Sequence, residues 1–137
     1  MIKYVYDLEE KDFPKICDLY KSAGWWDEGE SCTPQKISKL ILGSFCFISV
    51  WEDDKLVGMG RAISDGSDDA YLQDIFVDVN YRKQGMATNI ISRLTDYCLS
   101  KNIDWVALIA APGSVGLYEK AGFQKMIDYT PMHYHQT

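Results

Sequence analysis

At 137 residues, 47% of them hydrophobic and 25% charged, the chain is one domain long and can bury a core without metal or disulfide staples. Fourteen Lys and Arg against twenty Asp and Glu leave a formal charge of −6; this disfavours a nucleic-acid partner, which needs a basic face, and suits a cationic ligand. No apolar run approaches the ~20 residues of a membrane span, and the opening MIKYVYDLEE has no apolar signal region, so a cytoplasmic protein without a membrane partner is expected.

In chain order, residues 3–6 alternate and predict a first strand. Leu8–Ala23 predicts a helix with Phe13, Ile16, Cys17, Leu19 and Tyr20 on one face, stopped by Gly24. A loop with Trp25, Trp26, Asp27, Glu28 and Glu30 follows. Thr33 as N-cap and Pro34 at the first helical position start a helix that runs to about Gly43. FCFISVWEDDKLVGMGRAIS reads as a hairpin around an Asp-rich turn at 52–55, and SDGSDD as a second turn. AYLQDIFVDV is a third strand in this stretch, and Ile90, Ile91, Leu94 and Cys98 mark a helix over 87–99. DWVALIAA predicts a strand inside a sheet, broken at Pro112-Gly113. Val115–Ala121 is a short helix stopped by Gly122, and FQKMIDYTPMHYH predicts one or two closing strands. Trp51 and Trp105 are expected in the core. The order β-α-α-β-β-β-α-β-α-β is mixed α/β in a single domain over 1–137, with one parallel crossover through the helix at 87–99.

The scattered Cys17, Cys32, Cys46 and Cys98 form no CxxC and are read as reduced thiols. His133 and His135 have no third ligand nearby, so no metal is expected.

The most informative stretch is VDVNYRKQGMATNI, 77–90. Strand, short cationic loop with glycine, then helix is the geometry of an anion site. The free N–H groups of a helix's first turn point out of its end, and the dipole adds positive charge there. Gly85 lets a ligand approach the backbone, and Arg82 and Lys83 can neutralise phosphate oxygens. The segment is neither a P-loop nor a GxGxxG fingerprint.

With GLYEKAGFQK about thirty residues on, the segment resembles the GNAT superfamily of CoA-dependent N-acetyltransferases. Arg82, Gly85 and Ala87 match that family's [QR]-x-x-G-x-[GA], and Tyr118, Gly122 and Phe123 match its Tyr-x-x-x-Gly-Phe. VDVNY stands where the family has a V-x-P-x-aromatic run, with Val79 in place of a common proline. RAISDG and YLQDIFV look like small bacterial members. The resemblance implies a central mixed β-sheet flanked by helices, whose parallel strands at 71–77 and 105–110 splay apart. It implies acetyl-CoA as cosubstrate, with Phe76, Val77 and Val79 meeting its arm through backbone. Arg82, Lys83, Gln84, Gly85, Met86 and Ala87 would hold the pyrophosphate, with Thr88 and Asn89 adding hydrogen bonds. Ala111 stands where many members carry an Asn, so that contact is missing or comes from Ser114.

A thioester is already activated, so an amine held in line can attack it without an acyl-enzyme. Tyr118 stands at the family's acid position, where a phenol protonated at neutral pH can donate to the leaving thiolate. Backbone N–H near Val77 would polarise the thioester oxygen. Gln73-Asp74 replaces the Glu-Asp pair of spermidine/spermine acetyltransferases. Gln73 is no base. Asp74 binds the amine, deprotonates it through water, or is structural, and strand alternation turns it away from Gln73. Tyr71 and Gln73 are the pocket-facing candidates, and Asp65 is a further carboxylate. Trp25 and Trp26 suit a small amine with an apolar or aromatic body, although one of them is expected to pack on the core. The rival readings are a catalytically silent CoA-binding module and acetylation of a protein amine. The fold often dimerises, and the apolar final strands suit a homodimer.

Overall fold

The structure, a computed structural model, describes residues 1–27 and 32–135. Its five-stranded sheet runs in the order β1 (Ile2–Val5), β2 (Cys46–Glu52), β3 (Lys55–Ile63), β4 (Asp69–Val77), β5 (Trp105–Ala107). The first four strands are antiparallel neighbours, and β4 and β5 are parallel. α1 (Phe13–Ser22) and α2 (Pro34–Gly43) cover one face. α3 (Met86–Ser100) packs on the other through the fully buried Ile90, Ile91, Leu94 and Cys98, with α4 (Val115–Lys120) beside it.

The mixed α/β architecture, the hairpin and the crossover helix are as read from the sequence. Thr33 caps α2 as expected, its hydroxyl accepting from the Lys36 N–H at 3.1 Å. α1 starts later than periodicity alone placed it. Pro14 is tolerated only in a helix's first turn, so Glu10–Asp12 makes a 3₁₀ turn and the helix begins at Phe13.

Four expectations are corrected. β5 has three residues and lies at the sheet's edge, leaving Trp105 50% exposed, whereas Trp51 is in the core at 8%. No strand forms among residues 124–135, where Met126, Ile127, Tyr129, Met132 and Tyr134 stay exposed; apolar content alone does not make a strand unless the run pairs. Cys17 and Cys32 are joined as a disulfide, with Cα atoms 5.9 Å apart, leaving Cys46 and Cys98 free and buried. Folding the start of α2 back on α1 makes that pair, which spacing in the chain does not reveal. The fourth correction concerns Asp74.

Two features of β4 shape the site. Its pairing with β5 ends at Tyr71↔Ala107, so Leu72 to Val77 run on with no β5 partner. That is the expected splay. On the other side the register steps from Met59↔Phe76 to Arg61↔Gln73, so Gly60 alone faces Asp74 and Ile75. This is a β-bulge, with Asp74 at φ +59. Gly60 is required beneath it: a Cβ there would lie 2.5 Å from Ile90 Cγ2 on α3.

Candidate active site

The loop after β4 ends at Gly85, the N-cap of α3, at φ +79. The first helical bond runs from the Asn89 N–H to the Gly85 carbonyl at 3.0 Å, so the N–H groups of Met86, Ala87 and Thr88 have no intrahelical acceptor. No side chain caps this end and its first turn carries no acid. A Cβ on Gly85 would meet nothing within 4 Å. The helix end is therefore bare, positive and open, as an anion site requires. Arg82 donates Nε–H to the Val77 carbonyl at 2.9 Å and lies 5.4 Å over the Phe76 ring, which ties the loop to the end of β4. Lys83 and Gln84 are exposed, as is Val79 in the preceding 3₁₀ turn. Met86 is buried, so it offers only its backbone. Asn89 points elsewhere: its amide donates to the Tyr4 hydroxyl at 3.2 Å.

The bulge reverses the expected facing of Asp74. The extra residue places Gln73 and Asp74 on the same side, both reached by Arg61 of β3. Arg61 donates Nε–H to Asp74 Oδ2 at 2.7 Å and Nη2–H to Gln73 Oε1 at 3.3 Å. Tyr20 of α1 donates its hydroxyl to the same Oδ2 at 2.6 Å. Both donors converge on one oxygen, and the arrangement fits a carboxylate that holds position. Burial, then the carboxylate beside it, raises the Tyr20 phenol well above the usual tyrosine range, so it remains a donor. Neither Tyr20 nor Arg61 was singled out from the sequence. Arg61 is the lone cation in the apolar LVGMGRAI, and that was the available signal.

An aromatic wall adjoins this cluster. Trp26 stacks on Tyr20 at 4.2 Å and 13°, and Lys36 covers its other side, 4.5 Å from the ring. Trp26 is thus the tryptophan that packs on the core. Trp25, 47% exposed, meets Tyr20 edge-on at 5.9 Å and Phe76 at 5.8 Å. Asp27 is exposed, and Glu28 and Glu30 lie outside the described residues. Tyr71 is half-buried and paired to Ile63 and Ala107. Asp65 does not join the group: it is exposed in the β3–β4 turn, accepting from the Ser67 N–H at 2.9 Å.

Tyr118 is half-buried on α4 and packs edge-on with Phe123 at 6.2 Å. Burial raises its pKa above the usual tyrosine range, which keeps the phenol protonated and able to donate at neutral pH. Ser114 donates its hydroxyl to the Ala111 carbonyl at 2.7 Å, leaving its oxygen free to accept. Among the described residues, no group of three His, Cys, Asp or Glu is placed to hold a metal.

Comparison with known proteins agrees with this geometry. Residues 18–132 match the family model of the acetyltransferase (GNAT) domain. The chain is 34% identical over 129 residues to the histone acetyltransferase TAP1 of Glycine max, covering 86% of this chain and 53% of that one. A structure from meticillin-resistant Staphylococcus aureus, a protein of unknown function described as a probable acetyltransferase, is 26% identical. Its TM-score is 0.82, with all of both chains covered. A predicted acetyltransferase of Clostridium acetobutylicum, solved with acetyl-CoA, shares the fold at a TM-score of 0.70 and 18% identity, over 98% of this chain and all of that one. The first curated relatives are longer proteins, of which this chain spans between 28% and 53%. The family match over most of the chain, the splayed strand pair and the bare start of α3 agree: this chain belongs to the GNAT family of N-acetyltransferases.

Proposed function

We propose that this protein moves the acetyl group of acetyl-CoA directly to the primary amine of a small molecule, with no acyl-enzyme. The observation that carries the reading is the unpaired stretch of β4 from Leu72 to Val77, flanked by the bare start of α3 and the Trp25–Phe76 wall.

The residues present fit acetyl-CoA. The free N–H groups of Met86, Ala87 and Thr88, with Arg82 and Lys83 beside them, suit a pyrophosphate. The unpaired edge of β4 offers backbone groups to an extended amide-bearing arm, in the manner of an added strand. When bound, acetyl-CoA supplies an activated thioester carbonyl. Backbone N–H near Val77 polarises its oxygen, and Tyr118 donates a proton to the departing sulfur. Trp25 and Phe76 hold the acceptor's body. Asp74 orients the bulge and the acceptor side; water carries away the amine's proton. Direct transfer is supported by the thiols. Cys46 and Cys98 are buried and free, and burial pushes Cys46 up to about 12, so neither suits an acyl nucleophile. The Clostridium neighbour solved with acetyl-CoA supports the cosubstrate.

A second reading, acetylation of a protein amine, is favoured by one observation, the name of the Glycine max relative. Both are tested by following free CoA thiol with acetyl-CoA and a panel of polyamines, arylalkylamines and lysine peptides. The expected result is release driven by a small amine, falling about 10²-fold in Tyr118→Phe. Release with peptides alone selects the second reading. No release with any acceptor, while acetyl-CoA binds, sinks both.

A further inference from the structure

We propose that Tyr20 and Arg61 are positioning residues: through Asp74 they lock the β4 bulge and couple it to the tryptophan-bearing end of α1. Asp74 sits at φ +59, a backbone state that Asp tolerates but that persists only where its surroundings hold it. Two elements do so. Arg61 reaches across from β3 with one hydrogen bond to Asp74 Oδ2 and one to Gln73, a bulged residue and the paired residue just before it. Tyr20 reaches from α1, 54 residues away in the chain, to the same oxygen. The Arg61 and Asp74 side chains are only 16% and 24% exposed, so water screens the pair little.

Tyr20 is also the inner layer of the aromatic wall. Trp26 lies flat on it, and Trp25 touches both it and Phe76, two residues past Asp74. A shift of Trp25 and Trp26 as an acceptor settles is carried by the phenol to Asp74. From there it reaches the unpaired edge of β4. The contact chain is continuous and made of packed rings and short hydrogen bonds, as a mechanical coupling needs. The kinetic half of the test below rests on the acetyl-transfer reading; the spectroscopic half does not.

The test compares ¹H–¹⁵N spectra of the ligand-free full chain in wild type, Tyr20→Phe and Arg61→Gln, alongside kcat and both KM values. Tyr20→Phe keeps the ring stack and removes only the donor. The backbone amides of Gln73–Phe76 and the Trp25 indole should shift in both variants, while those at the centre of α3 stay put. Turnover should fall about tenfold, the scale of a small misplacement near the chemistry, with the acetyl-CoA KM within about twofold. The double variant should lose little more than the worse single one, because both donors serve one oxygen. If Arg61→Gln does not fold, Asp74→Asn replaces it, since Asn also tolerates the left-handed backbone. Unmoved bulge amides in Tyr20→Phe, or fully additive kinetic losses, overturn the proposal. Shifted bulge amides in the variants, with a wild-type protein that acetylates nothing, support the coupling and overturn the acetyl-transfer reading alone.

Discussion

At the scale of single residues, Gly85 separates two reasons for a glycine. Among the described residues, no atom apart from its chain neighbours and the helix's own backbone lies within 4 Å of where its Cβ would sit, so the fold does not need the space. The backbone at φ +79 does need glycine, by about 1 kcal/mol against an L residue. The proposed ligand needs the space as well. Gly85→Ala should therefore cost about 1 kcal/mol in urea unfolding, yet raise the acetyl-CoA KM more than about tenfold while the acceptor KM holds. A KM that moves no more than stability does would mean that only the backbone mattered. Asp74 teaches the complementary lesson. Its residue type is visible in the chain, but its direction is set by one extra residue in the cross-strand register, which no local pattern encodes.

At the scale of elements, the glycine stops of helices were the most legible part. Tyr20-Lys-Ser-Ala-Gly-Trp and Tyr118-Glu-Lys-Ala-Gly-Phe are one pattern used twice. In each, glycine takes positive φ and the aromatic after it donates its N–H back to the tyrosine carbonyl, at 3.2 Å for Trp25 and 3.0 Å for Phe123. Each tyrosine then meets that aromatic edge-on. This is the Schellman motif with its apolar contact, and it explains physically why Tyr-x-x-x-Gly-Phe recurs as a unit. α3 ends likewise, with Asn102 at φ +65 and Ile103 donating to the Cys98 carbonyl at 3.1 Å. Sheet irregularity was not legible, because pairing belongs to two strands at once. Gly60 is where the two strands and α3 meet, so Gly60→Ala should be costly: its Cβ would lie 2.5 Å from Ile90 Cγ2 and 3.2 Å from Leu94 Cδ1. Both side chains are fully buried and cannot swing clear. A loss of about 1–3 kcal/mol is expected, read as a lower urea midpoint at unchanged slope. A midpoint equal to wild type would mean that α3 is not pressed onto the bulge.

At the scale of the whole molecule, hydrophobic periodicity marked one apolar face on each of the helices read at 8–23 and 87–99, and the structure buries those faces in two cores. What it missed was pairing between distant parts: Cys17 and Cys32 join, and the C-terminal run does not pair with the open edge of β5. The buried thiols link this architecture to pH. Cys46 lies in the α3-side core beside Cys98, and burial, with Cys98 adding to it, lifts it from 9.0 to about 12. In the unfolded chain the thiol ionises near its ordinary value, so between those two pH values the unfolded state binds fewer protons and stability falls as pH rises. The contribution is fully present below the unfolded value and is lost through the folded one, at about 1.4 kcal/mol per pH unit. Between pH 7.5 and 10.5, Cys46 should account for a loss of about 2 kcal/mol. Cys98, Tyr20 and Tyr118, all raised by burial, pull the same way. Cys46→Val, close in volume and without a proton to lose, should flatten the alkaline slope without levelling it. Denaturant unfolding of both proteins at the two pH values reads the difference directly. Equal slopes would show that the Cys46 thiol reaches solvent in the folded state and that the core beneath α3 is looser than its packing implies.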